Sequence, residues 1–68
     1  MEIIINHNPK VFEETKISIS SLLSLESIHQ IKGIAVARNN QVVPQRDWDR
    51  TFIEDHDQIL IITATQGG

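Results

Sequence analysis

Four consecutive apolar residues near the end of the chain, Ile59 to Ile62, constrain the fold more than any other feature. In a β-strand, successive side chains point to opposite faces of the sheet, so this segment is apolar on both faces. A strand of that kind belongs in the middle of a sheet, with cover on each side. The segment from Gln58 to Thr63 is therefore predicted to be a central strand.

The sequence predicts two hairpins ahead of this strand. Their four short strands are Glu2–Asn6, Val11–Glu14, Ile34–Arg38 and Gln41–Pro44. The first turn is placed at His7–Lys10, and Pro9, which lacks a backbone donor, belongs in that turn or on a sheet edge. The second turn is Asn39-Asn40, because asparagine tolerates the positive φ angles that a two-residue turn needs.

One short helix is predicted between the hairpins. Ser18 fits the N-cap position, and Ile19, Leu22 and Leu23 follow at the spacing of one helical face. A helix of about two to three turns is not stable alone, so this apolar stripe must pack on the sheet. The helix is followed by a loop, and Ile28 and Ile31 are expected to be buried beneath that loop.

The order of these elements predicts an α+β fold of the ubiquitin-like β-grasp type. The isoleucine-rich first strand is the natural neighbour of the central strand. If the two run parallel, the helix lies in the crossover, on one face of a mixed sheet of about five strands. Residues 1–62 are then expected to form the globular domain, and residues 63–68 a flexible, free C-terminal tail.

A single helix can cover only one face of that sheet. Alternation assigns four isoleucines to the helix side: Ile3, Ile5, Ile59 and Ile61. Ile4, Leu60 and Ile62 then point to the opposite face, where no predicted element is left to cover them. Such an apolar patch is a candidate partner site. Ordinary surface isoleucines, or the opposite phase of the strand, are the alternatives.

Composition argues against several classes of function. The chain has 68 residues, which is one domain at most, and no cysteine, which excludes disulfides and thiolate chemistry. Its net charge is −3 and it has no basic cluster, so nucleic-acid binding is not expected. The first apolar run, Ile3–Ile5, is too short for a signal peptide or a membrane span, so a cytoplasmic protein is expected.

No catalytic or metal-binding group of residues stands out. His7, His29 and His56 fall on separate loops without ligand spacing, so no metal site is expected. The acidic residues of the 54–57 turn are expected to be solvated. Trp48 is interpreted as a core residue more readily than as a partner hot spot.

The terminal carboxylate of Gly68 is the candidate reactive group. An α-carboxyl group is ionised at neutral pH. Gly67 and Gly68 carry no Cβ atoms, so this end of the chain could enter a narrow channel. Residues 63–68 would reach about 20 Å if extended, which is enough to place the carboxylate inside another protein.

Together these features resemble the thiamine-biosynthesis sulfur carrier family, over essentially the whole chain. The features that carry the resemblance, in chain order, are the Asn39–Pro44 hairpin, Trp48, the Asp55–Asp57 turn, Gln58–Ile61 and Gly67-Gly68. Two positions depart from the family pattern. His56 stands where the acidic turn usually has glycine, and Gln66 where some members have a third glycine.

The resemblance implies a sulfur carrier and not an enzyme. An adenylating enzyme of the ubiquitin-activating type would use ATP-Mg to activate Gly68. A persulfide donor would convert it to a thiocarboxylate, and thiazole synthase would take the sulfur. Gln66 and Gly67 would enter the partner with the tail, while the body docks through Ile4, Leu60 and Ile62.

The carrier itself would bind no cofactor and be a monomer when free. Two alternatives stay open. One is the small subunit of molybdopterin synthase, which has the same chemistry and another acceptor. The other is a β-grasp interaction module or protein modifier.

Overall fold

The computed structural model describes residues 1–63 of the chain. Its strands are β1 (Glu2–Ile5), β2 (Asn8–Val11), β3 (Ile17–Ser18), β4 (Ile34–Arg38), β5 (Gln41–Val43), β6 (Phe52–Ile53) and β7 (Gln58–Thr63). The helix α1 spans Ile19–Leu25, and a 3₁₀ turn spans Gln45–Asp47.

A five-stranded mixed sheet, in the order β2-β1-β7-β4-β5, forms the body of the molecule. β7 occupies the centre, as predicted. It runs parallel to β1 and antiparallel to β4. The chain between β1 and β7 carries α1 across one face, so the β-grasp arrangement is confirmed. Thr63, which the predicted domain division assigned to the tail, still pairs with Ile34 in this sheet.

The first hairpin differs from the prediction. The turn is not at His7–Lys10 but at Asn6 and His7, whose φ angles are 50° and 70°. β2 therefore begins at Asn8, and Pro9 lies inside this edge strand and not in a turn. An edge strand tolerates proline because its missing N–H can face solvent. The prediction of a strand over Val11–Glu14 was also wrong. Because the turn comes earlier in the chain, the second strand spans Asn8–Val11.

A second, two-stranded sheet was not predicted. β3 and β6 pair antiparallel, with Ile17 opposite Ile53, and both side chains are buried. This pair ties the chain just before α1 to the chain just before the acidic turn. Two-residue strands are too short to show alternation, so the sequence pattern does not reveal them.

The helix begins and packs as predicted. The Ser18 hydroxyl accepts a hydrogen bond of 3.1 Å from the Ser21 backbone N–H, which confirms the N-cap. Ile19, Leu22 and Leu23 are buried. The core joins them to residues from the sheet and loops: Ile3, Ile5, Ile17, Val36, Trp48, Ile53 and Ile59.

Two loop predictions had different outcomes. Ile28 is partly buried against the core, as expected, but Ile31 is 40% exposed and is not tucked under the loop.

Trp48 is only 3% exposed, and its Nε1–H donates to the Val43 carbonyl at 2.9 Å. The lone tryptophan is therefore a core residue with its polar atom satisfied.

The acidic turn before β7 is built around Asp57. This residue was expected to be solvated, but it is buried. Its carboxylate accepts hydrogen bonds from Arg38 Nε at 2.7 Å, the Glu54 backbone N–H at 2.8 Å and Asn39 Nδ2 at 3.1 Å. Burial raises the pKa of Asp57, but these three donors together hold it below the ordinary value of 3.8. His56 has a φ of 69°, the conformation for which glycine would otherwise be favoured.

Replacing Asp57 with Asn should lower the free energy of unfolding at pH 7 by about 1–3 kcal/mol, because buried donors lose a charged acceptor. Since the folded-state pKa is depressed, the stabilisation is present above the unfolded-state pKa and is lost as pH falls through the folded-state value. Urea unfolding of Asp57→Asn and wild type should therefore converge in strong acid. The exposed Glu14→Gln change is the control. A constant difference at all pH values would contradict this role.

Candidate protein-docking face

The face of the sheet opposite α1 is apolar, and we call it the open face. Its side chains follow from the strand register, since residues directly opposite each other point to the same side. Its apolar residues on β1, β7, β4 and β5 are Ile4, Leu60, Ile62, Ala35, Ala37 and Val42. Val42 is 74% exposed, Ile62 50% and Leu60 38%.

The structure places Ile4, Leu60 and Ile62 together, on the side that alternation assigned to them. Their neighbours in sequence behave in the opposite way. Ile3, Ile5 and Ile59 are at most 5% exposed, and Ile61 is partly buried against the core. The phase of both strands is therefore as predicted, whereas a binding role for the open face stays a prediction.

Ala37, which was not among the predicted site residues, lies near the middle of the open face. It lies opposite Leu60 on one side and Val42 on the other. This small side chain between larger ones lies in a depression of about 310 Å³. Most of its lining residues are apolar, Ile4 and Ile62 among them, and the polar ones are His7, Asn40 and Gln58. A depression with this lining has room for an apolar side chain of a partner.

A signal for this depression was present in the sequence. β4 reads Ile34-Ala35-Val36-Ala37, so it alternates large and small residues. The large residues face the core, where Val36 is buried. The alanines therefore face the other side of the sheet, where their small side chains alternate along β4 between the larger residues of the neighbouring strands.

The remaining candidates form no second site in residues 1–63. His56 is exposed, with Nδ1 3.2 Å from Asp55 Oδ2 and Nε2 3.9 Å from Glu2 Oε1. No group of three potential metal ligands occurs in this part of the chain. None of its helices has the length and apolar character needed to cross a membrane. Gln66, Gly67 and Gly68 lie outside the described residues.

Comparison with known proteins identifies the family. The family model described as the ThiS family matches residues 3–68. The chain belongs to the ThiS family. A sulfur carrier protein ThiS from Escherichia coli strain K12 is 40% identical over 45 residues, which cover 65% of this chain and 68% of that relative.

Solved structures agree on the fold. The crystal structure of thiamine biosynthesis protein ThiS from Geobacter metallireducens matches with a TM-score of 0.88 at 23% identity, covering all of both chains. An NMR solution structure of a thiamine biosynthesis protein from Geobacter metallireducens matches with a TM-score of 0.82 at 23% identity, covering all of this chain and 88% of that one. The chain described here thus shares their β-grasp fold.

The open face predicts a contrast between two neighbouring isoleucines. Ile61→Ala should lower the free energy of unfolding by about 2 kcal/mol, because the side chain packs against the core. Ile62→Ala should change it by less than about 0.5 kcal/mol, because the side chain is half exposed. Urea denaturation measures both. A larger loss for Ile62→Ala would mean that β7 has the opposite phase, and equal losses would contradict the expected contrast between the two faces.

Proposed function

We propose that this ThiS-family chain is a sulfur carrier for thiamine biosynthesis, loaded on the carboxylate of Gly68. The observation that carries the proposal is the family match, which extends through Gly68. The name of the Escherichia coli relative, a sulfur carrier protein, supports the same activity. In this proposal the chain is a co-substrate and carrier and not an enzyme, and it works in the cytoplasm.

The first proposed step is activation by an adenylating enzyme of the ubiquitin-activating type. A carboxylate oxygen of Gly68 attacks the α-phosphorus of ATP, and pyrophosphate leaves with its Mg²⁺. The ATP-Mg belongs to the partner, and the carrier binds no cofactor of its own. A carboxylate is a weak nucleophile, so positioning must supply much of the rate.

The second proposed step loads sulfur. The first step leaves Gly68 as an acyl-adenylate. The outer sulfur of a persulfide donor attacks the acyl carbon of this adenylate, and AMP leaves. A thiol then cleaves the sulfur–sulfur bond, which leaves a thiocarboxylate on Gly68 and a disulfide on the donor side. Thiazole synthase is the proposed acceptor of that sulfur.

The open face is the proposed docking surface for these partners. Residues 64–68 span at most about 17 Å even when extended, so the body must bind close to the partner's reaction site. Gln66 and Gly67 enter the partner with Gly68. Ordering them costs conformational entropy, and burial of Ile4, Leu60 and Ile62 against the partner offsets that cost. The carrier is proposed to be a monomer between encounters.

Intact-mass measurement tests the chemistry directly. After incubation with the cognate adenylating enzyme, ATP-Mg and a persulfide source, we expect one oxygen to be exchanged for one sulfur, localised to Gly68 by fragmentation. A chain lacking Gly68 is the matched control and should stay unmodified with its fold intact. If the full chain also stays unmodified while the Escherichia coli relative is converted, the carrier proposal is wrong. Conjugates to lysine side chains in cells would favour a protein modifier.

Substitution on the open face tests the docking surface. Leu60→Asp should weaken binding to the adenylating enzyme by roughly tenfold or more, because a charge is buried where an apolar contact is needed. Leu25→Asp is the matched control, since Leu25 is 46% exposed but lies on α1. Titration calorimetry compares the two. Unchanged affinity for a folded Leu60→Asp variant would show that partners use another face.

A further inference from the structure

Two turns flank β7, and each begins with an asparagine. Asn6 and Asn39 both have a φ of 50°, and the residues that follow, His7 and Asn40, have φ of 70° and 71°. The Asn6 backbone N–H donates to the Ile59 carbonyl at 2.9 Å, and that of Asn39 donates to the Gln58 carbonyl at 2.8 Å. The two turns are therefore close equivalents on opposite edges of the strand.

The Asn6 side chain continues the sheet after β1 has turned away. The backbone pairing of β1 with β7 ends with Ile5 opposite Ile59. Beyond it, the Ile61 N–H donates to Asn6 Oδ1 at 2.8 Å, and Asn6 Nδ2 donates to the Ile61 carbonyl at 3.3 Å. A carboxamide offers the same donor and acceptor as a peptide group, so Asn6 replaces one missing residue of the neighbouring strand.

The other edge of β7 is held differently. Hydrogen-bonded and non-hydrogen-bonded pairs alternate along an antiparallel ladder. Counting from the bond between Asn39 and Gln58, the bonded positions are Leu60 and Ile62, which lie opposite Ala37 and Ala35. The strand's docking residues thus bond to β4, whereas the backbone of Ile61 bonds to Asn6.

We propose that Asn6 is a positioning residue for the activation of Gly68. It fixes the backbone at Ile61, two residues before the last described residue, and so fixes the direction in which β7 leads into residues 64–68. Loss of these bonds would lower the fraction of docked complexes with the carboxylate correctly placed. Docking itself would persist, because Leu60 and Ile62 keep their bonds to β4. This inference rests on the proposed sulfur-carrier function.

Two substitutions isolate the side-chain amide. Asn6→Gly tolerates the positive φ and keeps the backbone bond to Ile59, but it removes both bonds to Ile61. Asn6→Asp keeps the acceptor for the Ile61 N–H and replaces the donor with a second acceptor, which faces the Ile61 carbonyl. Asn39→Gly is the matched control. Asn39 has the same φ as Asn6. The Asn39→Gly variant also loses side-chain bonds, but these are to Gln58, the first residue of β7, and to Asp57.

The experiment measures pyrophosphate release by the adenylating enzyme with ATP-Mg, at varied concentrations of the full-length carrier. For Asn6→Gly and Asn6→Asp we expect kcat to fall by roughly three- to tenfold while KM stays within about twofold, because misplacement affects the reaction more than docking. Asn39→Gly should keep the wild-type kcat. Amide hydrogen exchange at Ile61 should accelerate in Asn6→Gly, which removes the acceptor of the Ile61 N–H, and not in Asn39→Gly.

Three results would overturn the inference. They are a wild-type kcat in both Asn6 variants, an equal fall in kcat for Asn39→Gly, and an Ile61 amide as well protected in Asn6→Gly as in wild type. If Asn6→Gly fails to fold, Asn6→Asp decides the question, and failure of both to fold also overturns a role limited to positioning. If the enzyme releases no pyrophosphate with the wild-type carrier, the proposed function itself is contradicted. That result differs from a failure of the Asn6 inference, in which the wild-type carrier is active.

Discussion

The parallel pairing of β1 with β7 is the interaction on which the rest of the structure depends. It joins the first strand to the last one described, with Ile4 opposite Gln58 and Ile5 opposite Ile59. A parallel pair needs a crossover, and here the crossover carries α1. The helix covers one face, where Ile5 and Ile59 are buried, and leaves the other face without cover in residues 1–63. The core and the open face are thus two consequences of one pairing.

Side chains from the flanking turns hold both ends of β7. At its start, the Gln58 N–H donates to Asn39 Oδ1 at 2.9 Å, and Asn39 Nδ2 donates to the carboxylate of the preceding Asp57 at 3.1 Å. Near its end, Asn6 bonds to Ile61 on the β1 edge. Under the proposed function, fraying of β7 would lengthen the segment that a partner has to order, and these bonds oppose it.

The sequence predicts the fold better than it predicts the details of the turns. Period-two alternation, which depends only on side-chain direction, correctly placed Ile3, Ile4 and Leu60 on their faces. The first turn was misplaced because proline is a strong turn signal, whereas the asparagine–histidine pair is a weak one. The burial of Asp57 could not be predicted, because its partners Arg38 and Asn39 lie far away in sequence. The depression at Ala37 was readable in the alternation of β4.

Transfer of labelled sulfur from the carrier to an acceptor would test whether this chain is a sulfur carrier for thiamine biosynthesis. The carrier would be loaded with ³⁴S and purified away from the donor. It would then be presented separately to thiazole synthase, with its other substrates, and to the large subunit of molybdopterin synthase. We expect the label to appear in the thiazole product and the carrier to return to an unlabelled carboxylate at Gly68. Label that stays on the carrier with thiazole synthase, or that reaches only the molybdopterin product, would contradict it.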